Sequence, residues 1–133
     1  MLGIKTTRIM VDFCLSGMDI DFNVVSSQIG ISSAMIQKKE CIKIKEYAKD
    51  TWYISTGYQE EMAVSVPFEQ LIDKLHGKEN IINDLTFKYN LECIFLIVIQ
   101  AENGNGPEVV LTQKCVNFAS KVNAEIHFDL YYY

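Results

Sequence analysis

The sequence predicts an α+β domain, a single mainly antiparallel sheet with helices packed mostly on one face. Three observations predict it. The end segments "RIMVDFCLS" and "AEIHFDLYYY" alternate with the period of two of a half-buried strand. Phe68, Leu71, Ile72 and Leu75 fall at i, i+3, i+4 and i+7, one buried helical stripe. Strand segments come in runs interspersed with helices, the pattern of α+β rather than of a regular parallel α/β fold. The expected order is β-α-β-β-α-α-β-β-α-β over one domain, residues 1–133, with 1–7 flexible.

Each element has its own warrant. In the first strand Ile9, Val11, Phe13 and Leu15 point one way and Met10, Asp12, Cys14 and Ser16 the other. Asp21 is the N-cap of a short helix with Phe22, Val25 and Ile29 on one face, and Gly30 fits the position after it. "SAMIQKK" and "ECIKIKEY" suggest an exposed hairpin, since lysines on a strand discourage edge pairing. "DTWYISTGY" is a firmer strand. Pro67 suits a first helical position, Gly77 breaks the run, and a second helix turns Ile81, Ile82, Leu85 and Tyr89 inward before Asn90.

"LECIFLIVIQAE" reads as a central strand covered on both faces, or covered by helices on one face and by another chain on the other. "NGNGP" signals a hairpin, with "EVVLT" as the returning strand. Thr112 caps a helix whose Cys115, Phe118, Ala119 and Val122 share a face, and Asn123 ends it. The last strand places Ile126, Phe128, Leu130 and Tyr132 in a core row, with His127, Asp129, Tyr131 and Tyr133 opposite. Its terminal tyrosines then continue a pleat and keep their hydroxyls near water.

Composition narrows the function classes. A net charge of −5 argues against nucleic-acid binding, which needs cations gathered on one face. Cys14, Cys41, Cys93 and Cys115 form no Cys-x-x-Cys pair, so buried reduced thiols and a cytoplasmic location are expected. "CIFLIVI" is too short to span a bilayer, and "MLGIKTTR" lacks the apolar core of a secretory signal. No membrane association is expected.

Candidate sites are few. Asp12, His127 and Asp129 would share one sheet face if the terminal strands were neighbours, and could then bind a metal or move protons. A solvated sheet face explains the same residues more simply, because alternation puts them there. Asp19 and Asp21 lack the oxygen-rich spacing of a calcium loop. "ENGNG" joins two strands, so it is not a phosphate loop. Neither a catalytic set, a metal site nor a cofactor is assigned. The amphipathic aromatics and their neighbours, Trp52, Tyr53, Thr56, Tyr58, Tyr131 and Tyr133, are the candidate binding residues.

"SGMDIDF", "WYISTGY", "YNLECIFLIVI" and "AEIHFDLYYY", in this order and spacing, resemble the bacterial family named domain of unknown function 4279. The resemblance spans about residues 8 to 133. Where the family often has proline after the capping Asp and a Pro-Thr pair after the first helix, this chain has Phe22 with Asn23 and Ser32 with Ser33. The resemblance implies a small bacterial cytoplasmic domain and carries over no catalytic residue, because the family has no established activity. The expectation is therefore a non-enzymatic protein-interaction domain, for example an immunity-type inhibitor of a basic toxin. A homodimeric structural or small-ligand-binding domain is the alternative, and a metal-assisted hydrolase on Asp12, His127 and Asp129 comes third.

Overall fold

A computed structural model describes residues 6–41 and 48–133. The elements in chain order are β1 Arg8–Gly17, α1 Phe22–Ile29, β2 Met35–Gln37, a 3₁₀ turn Lys39–Cys41, β3 Asp50–Ser55, β4 Gln59–Glu60, α2 Ser65–Leu75, α3 Glu79–Tyr89, β5 Glu92–Ala101, α4 Gln113–Lys121 and β6 Glu125–Tyr132. They form one six-stranded sheet in the order β2-β3-β1-β5-β6, with β4 added to β1. Every pairing is antiparallel except the parallel β5–β6 pair. The α+β class is thus the observed one.

The core lies between the sheet and one layer of helices. Ile9, Val11, Phe13 and Leu15 of β1 are all buried, as their alternation predicts. Phe95 of β5 sits between Phe13 at 5.0 Å, Phe68 of α2 at 4.7 Å and Phe118 of α4 at 6.1 Å. Val25 and Ile29 of α1, and Ile82 and Leu85 of α3, join the same cluster. All four helices of the described residues therefore cover one face, and none of them lies over the other face of the sheet.

Local chemistry fixes the boundaries. Asp21 accepts a hydrogen bond from the Val24 N–H at 3.2 Å, and Gly30 closes α1 at φ 78°. Asn90 ends α3 at φ 53°. Thr112 accepts from the Cys115 N–H to start α4. Gly17 permits a close approach: a Cβ there would lie 2.6 Å from Leu91 Cδ2. Pro67 is the third residue of α2, not the first, yet still in the opening turn where no N–H is needed.

Four expectations need correction. The Asn103–Gly104 turn forms, with φ of 53° and 72° and an Asn105 N–H to Glu102 C=O bond of 2.9 Å, but "EVVLT" is not a strand. Only Glu108 bridges, to Ala63, while Val109 and Val110 are exposed. The place beside β5 is occupied by β6, so the chain crosses over through α4 and returns parallel. In α3, Ile81 faces solvent while Ile82 is buried.

β5 is covered fully on the helix side only; on the other, Ile94 and Leu96 are half-buried. In β6, Phe128 and Leu130 are in register with buried Ile97 and Ile99 and face the helix side as expected. The helix layer ends short of them, however, and they are 43% and 48% exposed. Only Ile126 of that row packs on the core.

β2 matches the first strand read around residue 35, whereas the second half of the expected hairpin lies largely outside the described residues. Most of the stretch expected to be flexible, residues 1–5, also lies outside them. Its last residue, Thr7, is buried, accepts from the Glu102 N–H and donates to the Asn105 C=O.

Candidate functional site

The uncovered sheet face is built by the second row of each strand. Register places Ser55, Asp12, Leu96 and His127 in one line across β3, β1, β5 and β6. The adjacent line is Met35, Tyr53, Cys14, Ile94 and Glu125, and on the other side Met10, Val98 and Asp129. A cleft of about 340 Å³ opens here, lined by Asp12, Cys14, Ser16, Gln37, Thr51, Tyr53, Ile94, Leu96 and His127. Its floor is apolar at Ile94 and Leu96, and its walls carry hydroxyls and one carboxylate.

That carboxylate is the distinctive group. Asp12 is only 8% exposed, and its Oδ1 has no hydrogen-bond partner among the described residues. An unpaired buried acceptor carries a full desolvation penalty, about 1–3 kcal/mol or more when charged. Burial raises the Asp12 carboxyl above the usual carboxylate range, against a Ser55 hydrogen bond that lowers it. A cation or N–H donor arriving at Oδ1 relieves both conditions.

The face is acidic. Asp12, Glu60, Glu92, Glu125 and Asp129 lie on it against Arg8 and Lys49, and Lys49 is already bridged to Glu92 at 2.6 Å. At one end the Arg8 guanidinium lies over the Tyr58 ring at 5.5 Å. Tyr131 donates to Asp129 at 3.0 Å, and this bond, then the charge of Asp129, raises the Tyr131 hydroxyl above its usual value.

The six aromatic and neighbouring candidates separate. Trp52 lies on the opposite face, fully buried, its Nε1–H donating to Ser26 Oγ at 2.9 Å. It is a packing residue whose neighbour Tyr53 reaches the cleft. Thr56 accepts from the Val11 N–H and donates to the Gly57 C=O, so it fastens the end of β3 to β1. Tyr58, Tyr131 and Tyr133 are exposed, and Tyr58 lies near enough to add a little to the rise at Tyr131.

Asp12, His127 and Asp129 do share the face, because β5 bridges the terminal strands. They do not converge. Asp12 and His127 emerge two strands apart, about 10 Å at the usual ~4.8 Å spacing. His127 instead approaches Glu125 at 3.0 Å. Among the described residues, no group of three His, Cys, Asp or Glu could hold a metal ion.

A larger cavity, 710 Å³, lies between Asp19–Asn23 and Asp50, but three of the four carboxylates that line it are engaged. Asp19 pairs with Lys39 at 2.6 Å and Asp21 caps α1. Asp50 accepts from the backbone N–H groups of Lys39 and Ile20 at 2.9 and 3.1 Å. Burial pushes Asp50 up, yet those two bonds and nearby lysines hold it below the usual range. This cavity is a structural junction.

Cys14, Cys93 and Cys115 are free thiols. Burial pushes Cys14 up to about 12, helped by the Asp12 charge, so the one thiol in the cleft is not a thiolate near neutral pH. The sequence signalled Asp12, Tyr53 and His127 through alternation. It did not signal Thr51, Ser16 or Leu96 as cleft residues, because only the β1–β5 and β1–β3 registers bring them together.

Fold and site together define an α+β domain with one helix layer and an open, acidic, partly apolar sheet face. The chain belongs to the family described as Domain of unknown function (DUF4279), which it matches over residues 5–133. Neither the curated proteins nor the solved structures contain a match.

Proposed function

We propose that this domain is a non-enzymatic protein-binding module that receives a basic partner on its open sheet face. The observation that carries the reading is Asp12, a buried carboxylate beside a cleft whose Oδ1 has no partner among the described residues. A partner's Arg or Lys would enter the cleft, its alkyl stem lying on Ile94 and Leu96 and its cationic end reaching Oδ1. Tyr53, Tyr58 and Tyr131 supply amphipathic contacts around it. The surrounding carboxylates speed encounter with a positively charged surface.

An immunity-type inhibitor of a basic toxin is the concrete version of this reading, acting in the cytoplasm of a bacterium. No helix among the described residues is long and apolar enough to cross a membrane. The test is binding of the purified domain to basic products of adjacent genes across a salt series. Association should slow as salt rises, and Asp12→Asn should weaken binding by about thirtyfold, the lower end of about 2 kcal/mol for a buried charge pair. Failure to bind any such product, or binding indifferent to Asp12→Asn, removes the reading.

A further inference from the structure

β6 ends the sheet, pairing β5 on one side and no other strand among the described residues on the other. It is eight residues long, and "EIHFDLYYY" contains no Lys, Arg or Pro. Natural edges are usually short or guarded by such residues. β2 at the other end of the sheet is of that kind: three residues, followed directly by Lys38 and Lys39. β6 is long, its only acidic residues, Glu125 and Asp129, lie on the open face, and it carries Phe128, Leu130 and Tyr132 exposed on the helix side.

The backbone fixes which groups are free. The Tyr133 N–H donates to the Ala101 C=O, and the Tyr133 C=O accepts from the Asn103 N–H, so Tyr133 points both groups towards β5 and its turn. Successive residues of a strand alternate in direction. The N–H and C=O of Ile126, Phe128, Leu130 and Tyr132 therefore point outward along the free edge.

We propose that a second copy of this chain pairs with that edge, the two β6 strands running antiparallel about a twofold axis at Phe128. A twofold normal to the sheet keeps both helix layers on one side, so the two apolar rows merge. Phe128 then meets the partner's Phe128, and Ile126 meets the partner's Leu130, at hydrogen-bonded positions. His127 meets the partner's Asp129 at a non-hydrogen-bonded position, where side chains approach most closely. Centring the axis on Asp129 would oppose two carboxylates, and centring it on His127 would oppose two imidazoles, both unfavourable across a sheet. The Phe128 axis sets the strand's cation-forming side chain against an acid twice. Pairing through the edge leaves Asp12 uncovered and engages only His127 of the cleft lining, so dimer mass and partner binding are separate readouts and either can fail alone.

The test is sedimentation equilibrium of the full chain at tens of micromolar. The expected mass is about twice 15.2 kDa. Phe128→Lys should weaken dimerisation at least tenfold while leaving the circular dichroism spectrum unchanged. Leu130→Pro removes an outward N–H that no strand of the described residues pairs with, so it should give a folded monomer. For the register, His127→Asp should weaken the dimer and the double variant His127→Asp, Asp129→His should restore it. A wild-type monomer at this concentration, or a dimer untouched by both Phe128→Lys and Leu130→Pro, overturns the proposal. A dimer lost in the swapped double variant overturns the Phe128 axis.

Discussion

Asp12 is a residue whose burial opposes folding. Its folded-state carboxyl titrates above the ordinary value of 3.8, so the folded protein holds the proton where the unfolded chain has released it. Stability from this group is therefore full below that value and declines as pH rises through the raised one. Asp12→Asn removes the charge while keeping an acceptor. Thermal unfolding across a pH series should show the variant melting above the wild type near neutral pH, with the gap closing on acidification. A constant deficit at every pH would mean that the carboxylate is structurally satisfied. Under the proposed function, this cost is the stability given up by a group kept for binding. Trp52 and Tyr53 teach the complementary lesson. Both are amphipathic and adjacent, yet the pleat sends Trp52 to Ser26 in the core and Tyr53 to the cleft. Composition marked the pair, and only the register of β3 on β1 separated them.

Among the elements, those with local chemical signals were legible. α1 followed from Asp21 and Gly30, α3 from its stripe and Asn90, and β1 from alternation alone. Asp21→Ala should cost about 1 kcal/mol in a denaturant titration, the usual value of an N-cap. A change within error would show that α1 is held by Val25 and Ile29 alone. The element misread was "EVVLT". Its turn signal was sound, and Asn103–Gly104 does turn. What decided against a hairpin was competition for the edge of β5, where β6 offers eight paired positions and "EVVLT" none. Local sequence contains no term for that competition. β6 was read correctly as a strand facing the helix side, but the reach of the helix layer over Phe128 and Leu130 depends on where α4 sits, which no spacing encodes.

At the scale of the whole molecule, one asymmetry organises everything. Four helices pack into the core on one face of the sheet, and none of the described helices lies over the opposite face. That face collects carboxylates, tyrosines and an apolar floor in a domain of net charge −5. The most direct measurement is an amide and side-chain chemical-shift titration of the isotopically labelled domain with N-acetyl-arginine amide, a minimal basic ligand. The account predicts shifts concentrated at Asp12, Tyr53, Leu96 and His127, and their loss in Asp12→Asn. Shifts centred on the helix layer, or unchanged by Asp12→Asn, would contradict it.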